Sequence, residues 1–133
     1  MQLTQLAKSY KSVAVSTATP GQLVLMLFDG ALRFMATATY GFQVEAVTTR
    51  NELIHNNLIK TQNILRELQC SLDRTTGGEF AERMFALYEF MVDQLRLANM
   101  NKQQAPIAVV ERLLGEIRDA WAEMLEQTAE RAA

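Results

Sequence analysis

Residues 19–40 read TPGQLVLMLFDGALRFMATATY, a long stretch in which apolar residues predominate. It opens with helix-start chemistry: Thr19 can cap the first turn, Pro20 presets φ at the first helical position, and Gln22 can close a capping box. The apolar residues that follow gather on one face when they are stepped at about 100° per residue. That face is roughly 200° wide, about twice the stripe of an ordinary surface helix. The sequence therefore predicts a helix over Pro20–Tyr40 that needs cover on two sides.

Composition predicts a globular protein that works in a reducing compartment. The chain has 133 residues, of which 49% are hydrophobic and 21% charged, so we expect one domain over residues 1–133. Its net charge is −2 and its basic residues form no block, so nucleic acid is not an expected partner. The single cysteine excludes an internal disulfide. We find no signal-peptide core and no run resembling a membrane span of roughly 20 apolar residues, so a cytoplasmic location without membrane insertion is expected.

The rest of the chain alternates long periodic segments with short breaks. After Pro20–Tyr40, with Gly41 as its C-terminal cap, the pattern predicts a helix over 44–72, a turn over 73–78, a helix from about 78 to 98 and a last helix from 106. Short turns between long helices make neighbouring helices antiparallel. The predicted fold is therefore all-α, an antiparallel four-helix bundle. Residues 1–18 are expected to be a mobile N-terminal segment, either a short amphipathic helix or extended chain.

Each predicted helix carries an apolar seam for the core. In the second helix, Thr61 lies within the seam of Ile54, Leu58, Leu65, Leu68 and Leu72. The third helix presents Phe80, Met84, Leu87, Tyr88, Met91, Leu95 and Ala98, and the fourth Ile107, Val110, Leu114, Ile117, Trp121 and Met124.

Two stretches could suggest catalysis, and neither is supported by its surroundings. Glu52-Leu-Ile-His55 has the spacing of a di-iron ligand pair, but such a site needs a second motif and His55 is the only histidine. We therefore interpret His55 as a surface or boundary residue, and Cys70 as a half-buried small apolar residue without an activating group. No nucleophile, base and orienting group come together. The sequence predicts no enzyme, no metal and no cofactor.

Apolar residues outside the seams indicate grooves that could accept another polypeptide. They are Leu25, Phe28 and Leu32 in the first helix, Ile59 and Ile64 flanking the second seam, and Ala86, Phe90 and Leu97 on the third helix away from its core. For any single one of them, a place in the core is equally compatible with the pattern. As a set they favour a protein-binding surface.

The chain also resembles a known family, through Tyr10 and a series of motifs near the predicted helix boundaries. The motifs are VSTATP at 15–20, LVLMLFDGA at 23–31, KTQNILREL at 60–68, SLD at 71–73, GGE at 77–79, LYEFM at 87–91, and LL, IR and AW at 113–114, 117–118 and 120–121. They resemble the FliS family of flagellar export chaperones. Phe28 stands where that family commonly has tyrosine, and Thr61 where alanine is expected.

The resemblance implies a bacterial cytosolic bundle that binds the disordered C-terminal segment of flagellin, prevents its premature polymerisation and aids its delivery to the flagellar type III secretion apparatus. Export-gate or other flagellar proteins are further expected partners, and the chaperone itself is expected to be a monomer or weak homo-oligomer. The predicted partner-binding residues are Tyr10, Val13, Val15, Leu25, Phe28, Leu32, Ile59, Ile64, Phe90 and Leu97. Tyr10, Val13 and Val15 could cover the groove when no client is present, or Tyr10 could simply pack against the end of the bundle. The alternatives are a self-assembling structural bundle without a client and a metal-binding bundle enzyme.

Overall fold

The computed structural model describes residues 18–132, which form four α-helices. They are α1 (Pro20–Gly41), α2 (Val47–Cys70), α3 (Gly78–Asn101) and α4 (Ala105–Ala132). Over 18–132 no residue is in a strand. The predicted all-α bundle is confirmed for this part of the chain. Tyr10, Val13 and Val15, and the expectation that they cover a groove, lie outside the described residues.

The helices form a closed ring in which each packs against two others. The pairs in contact are α1 with α2, α2 with α3, α3 with α4, and α4 with α1. Even the seven-residue connection over 71–77 reaches at most about 24 Å, whereas the 22-residue α1 is about 33 Å long. Consecutive helices must therefore run antiparallel, and α1 lies diagonally across the bundle from α3.

The start of α1 is fixed by the predicted capping box, but its end is not fixed in the predicted way. The Gln22 amide donates to Thr19 Oγ1 at 3.2 Å, and the Thr19 amide donates to Gln22 Oε1 at 2.9 Å. At the other end, Gly41 is the last helical residue and is buried, while the right-handed Phe42 is the cap. A Cβ on Gly41 would lie 3.1 Å from Leu53 Cβ, so this glycine allows α1 to approach α2 closely.

The turn between α2 and α3 depends on an aspartate and two glycines. The Asp73 carboxylate accepts hydrogen bonds from the Thr75 and Thr76 amides at 3.0 and 3.1 Å and from the Thr76 hydroxyl. These bonds hold the pKa of Asp73 below its usual range, and the bond from the Thr76 side chain contributes most. Gly78 adopts φ +61°, a left-handed conformation that glycine adopts without penalty. A Cβ on Gly77 would collide with the Asp73 carbonyl oxygen.

The core follows most of the predicted seams. Its buried side chains include Leu27, Met35, Ile54, Leu58, Thr61, Leu65, Leu68, Met91, Leu95, Ile107, Val110 and Leu114. The predicted core positions of Phe80 and Met124 are wrong, because these side chains are 70% and 41% exposed. Trp121 already contacts Gly21, the second residue of α1, so Met124 lies beyond the start of α1. Phe80 is the third residue of α3, in its first turn, where less of the bundle surrounds it.

Within 18–132, α1 alone is long and apolar enough by composition to cross a membrane, with a mean hydropathy of 1.3 over its most apolar window. The expectation that no segment reaches this level is therefore corrected. About 33% of that window is buried inside the bundle, where α1 packs between α2 and α4 and its Asp29 pairs with Arg118 of α4. Packing therefore accounts for part of this apolarity. A helix in the core of a bundle meets the same criterion.

Candidate protein-binding surface

Three side-chain contacts hold α4 against α1. The Trp121 indole Nε1 donates to the Gly21 carbonyl at 2.9 Å, and its ring meets Phe28 edge to face, with centroids 6.3 Å apart. One helical turn away, Arg118 Nε donates to Asp29 Oδ1 at 2.8 Å. The hydrogen bond to the Asp29 carboxylate raises the pKa of Arg118, and a second hydrogen bond to Asp119 contributes less. The helical periodicity of the two segments does not predict this pair. One sequence signal pointed to the Asp29–Arg118 pair: Asp29, Arg118 and Trp121 all lie in the motifs that carry the family resemblance.

Beside these contacts, the side of α1 that faces α4 is only partly covered. Leu25 and Leu32 are three or four residues from Phe28 and Asp29, so they lie on the same α4-facing side of α1, and both are half-buried. Because the helices are antiparallel, Gly115, three residues before Arg118, is level with Leu32, three residues after Asp29. A Cβ on Gly115 would meet no atom within 4 Å. We call the space bordered by Leu25, Leu32 and Gly115 the α1–α4 groove.

Two of the predicted partner-binding residues lie in the core, which corrects their predicted position. Phe28 is 2% exposed and Ile64 is fully buried. Phe28 is covered because its ring lies against Trp121. Ile64 is one turn after Lys60, whose ammonium lies 5.3 Å from the centre of the Phe34 ring of α1, so Ile64 faces the α1–α2 interface. Neither side chain presents an accessible surface to a partner.

A second apolar surface lies on α3. Phe90 and Leu97 are 43% and 45% exposed, and Ala86, one turn before Phe90, is exposed as well. These positions recur at one turn and three turns, so they form a strip along the outer face of the helix, which we call the α3 strip. Since α3 is diagonal to α1, the α3 strip and the α1–α4 groove lie on different sides of the bundle.

A polar network joins α2 to α3 between these surfaces. Arg66 pairs with Glu89 through two hydrogen bonds of 2.7 and 3.2 Å. The buried Gln69 donates to Glu89 at 3.1 Å and to the Phe85 carbonyl at 3.1 Å, and it accepts from Arg66 at 2.7 Å. The hydrogen bond from Arg66, followed by that from Gln69, lowers the pKa of Glu89. The network fixes the register of α2 against α3.

The residues considered for catalysis lie at the surface. His55 is exposed, as predicted, and its Nδ1 is 2.9 Å from Asn99 Nδ2. Cys70 is exposed, so its predicted half-burial is wrong; it is the last residue of α2, where the helix is ending. In the described part of the chain, no three histidine, cysteine, aspartate or glutamate side chains are grouped so that they could hold a metal ion.

A helical bundle with apolar side chains on two sides of its surface has the make-up of a protein-binding module. The family comparison is more specific. Residues 2–128 match the family model described as flagellar protein FliS. The chain therefore belongs to the FliS family of flagellar secretion chaperones.

Curated relatives agree with this assignment. The chain is 36% identical over 118 residues to the flagellar secretion chaperone FliS of Bacillus subtilis, an alignment that covers 89% of this chain and 84% of the relative. It is 36% identical over 119 residues to FliS of Salmonella typhimurium, covering 86% of this chain and 85% of that protein. It is 35% identical over 113 residues to FliS of Escherichia coli, covering 84% and 80%.

Proposed function

We propose that this protein binds the disordered C-terminal segment of flagellin in the bacterial cytosol, keeps it from polymerising and delivers it to the flagellar secretion apparatus. The observation that carries the proposal is membership of the secretion-chaperone family, together with accessible apolar side chains on two sides of the bundle. The protein acts stoichiometrically by binding and catalyses no reaction.

The positions of the two surfaces explain how such a client would bind. Ordering a disordered segment costs several kcal/mol, so stable binding needs a large interface, on the order of 1,000–3,000 Å². The α1–α4 groove and the α3 strip are on different sides, and one client that uses both must wrap around the bundle. The half-buried Leu25 and Leu32 and the exposed Phe90 and Leu97 are the contact residues we propose. A client whose apolar face is occupied in this way cannot pack against another flagellin.

Titration with the last ~40–50 residues of flagellin, a length sufficient for an interface of this size, tests the proposal. Leu32→Asp in the α1–α4 groove and Leu97→Asp in the α3 strip should each weaken binding at least about 30-fold, because a charge replaces a buried anchor. Phe80→Asp is the matched control: it removes a 70% exposed aromatic of α3 outside both surfaces. The affinity of Phe80→Asp for the flagellin peptide should stay within about twofold of that of the unchanged protein.

Circular dichroism of each variant separates loss of binding from loss of folding. If the helical signal is retained and both Leu32→Asp and Leu97→Asp bind the peptide as well as Phe80→Asp does, the proposed contact surface is wrong. If the unchanged protein shows no binding at all, the proposed client is wrong.

A further inference from the structure

A recess of about 310 Å³ lies between α2 and α3 near the end of α3, on the opposite side of the bundle from the α1–α4 groove. Its lining residue Met100 is one turn after Leu97, so the recess adjoins the end of the α3 strip. Ile59 and Met100 give it an apolar part, and Met100 is 72% exposed. His55, Arg96 and Lys102 line its polar part, which contains no carboxylate. A chain with a net charge of −2 thus has a recess whose lining charges are cationic.

The polar groups of the recess are connected, and they retain donors for a ligand. Lys102 Nζ donates to Asn99 Oδ1, and Asn99 Nδ2 contacts His55 Nδ1 at 2.9 Å. Arg96 Nη1 donates to Asp93 Oδ1 at 2.9 Å. This bond uses one of the five N–H groups of the guanidinium. No carboxylate in residues 18–132 pairs with Lys102, although partial burial lowers the pKa of its ammonium. A partly desolvated ammonium without a counter-charge is stabilised when a carboxylate binds beside it.

Lys102 is also held in an unusual backbone conformation. With φ 50° and ψ 56° it is the one non-glycine residue with positive φ in the described part of the chain. This left-handed conformation ends α3 and brings the lysine stem over the last turn, where its Nζ reaches Asn99. Lys102 thus presents its ammonium next to the other lining residues of the recess.

We propose that this recess binds the terminal carboxylate of the flagellin segment together with its last apolar side chain. The inference rests on the proposed function, since a C-terminal client brings one α-carboxylate with it. Lys102 and Arg96 would hold the carboxylate, and Ile59 and Met100 would contact the apolar side chain beside it. The recess thereby gives the wrapped client a fixed end and hence a direction on the bundle.

Comparing two forms of the same flagellin peptide, free acid and C-terminal amide, tests the inference by calorimetry with the full chain. The amide should bind about fivefold to twentyfold more weakly, because it lacks the charge that Lys102 and Arg96 contact. In Lys102→Met, which keeps the stem and removes the ammonium, the acid should lose affinity and the difference between acid and amide should shrink, with Arg96 left to contact the carboxylate. Lys60→Met is the matched control, since it removes the same charge on the opposite edge of α2, beside α1. It should keep the full difference between acid and amide.

The possible results are distinguishable. Equal binding of acid and amide to the unchanged protein overturns the inference and leaves the proposed function standing. A difference between acid and amide that is undiminished in Lys102→Met, with its helical signal intact, shows that the terminus binds elsewhere and overturns the inference too. If neither peptide binds, the proposed function fails and the inference fails with it.

Discussion

Two glycines in this chain should respond in opposite ways to the same substitution. At Gly115, inside α4, an added Cβ meets no atom within 4 Å, whereas at Gly77 it meets the Asp73 carbonyl oxygen and lies 2.6 Å from Ala81 Cβ. Gly115→Ala should raise the free energy of unfolding by about 0.5–1 kcal/mol, because alanine restricts the unfolded chain and suits a helix interior. Gly77→Ala should lower it by more than about 1 kcal/mol, although the φ of −74° is allowed for alanine.

Urea denaturation of the two variants, followed by far-UV circular dichroism, measures both effects. The comparison isolates the surroundings of each glycine, since the chemical change is identical. Shifts of the same sign would contradict the geometry described for the α2–α3 turn or for the α1–α4 groove.

At the scale of helices, the pairing of α2 with α3 should depend on pH through Glu89. The hydrogen bond from Arg66, followed by that from Gln69, lowers the pKa of Glu89 below its ordinary 4.5. A carboxylate whose pKa is lowered on folding stabilises the protein above its unfolded pKa, and this stabilisation is lost as the pH falls through the folded pKa. Glu89→Gln should therefore be less stable than the unchanged protein at neutral pH, and the difference should shrink as the pH falls below 4.5.

Thermal unfolding of both proteins between neutral and acidic pH tests this. In an Arg66→Met background the same Glu89→Gln change should lose most of its pH dependence, because the hydrogen bond that contributes most to the lowered pKa of Glu89 has been removed. A difference that is constant across the pH range would mean that Glu89 does not stabilise the α2–α3 interface by its charge.

Helix boundaries in this chain are predictable where a local signal marks them. Thr19, Pro20 and Gly78 place the starts of α1 and α3, because caps and glycine conformations are properties of a few neighbouring residues. The start of α2 was placed at 44 rather than at Val47, since the structure shows no side-chain cap at Ala46 that the sequence could have revealed.

Positions between helices are less predictable, because they depend on which helix lies alongside. Phe28 and Ile64 have the same spacing as exposed flanking residues, yet Trp121 covers the first and the α1–α2 interface covers the second. The recess at the end of α3 was missed for a related reason. It depends on a left-handed Lys102 where glycine or asparagine would have been the recognisable signal.

At the scale of the whole molecule, the apolar side chains without a client should cause weak self-association that the client relieves. Phe90 and Leu97 are more than two-fifths exposed, and exposed large apolar side chains favour association in water. Light scattering should therefore show a mass that rises with protein concentration above that of the 15.0 kDa monomer. Saturating flagellin peptide should return the mass to that of a one-to-one complex, because the client and the second copy compete for the α3 strip.

Leu97→Asp should reduce both self-association and peptide binding, since the two depend on the same surface. Phe80→Asp serves again as the control and should change neither by more than about twofold, a difference of roughly 0.4 kcal/mol. Association that persists unchanged in saturating peptide would instead favour a structural bundle that assembles through some other face. Competition is thus the measurement that separates a chaperone, whose apolar surface is reserved for another chain, from a bundle that uses it to assemble with itself.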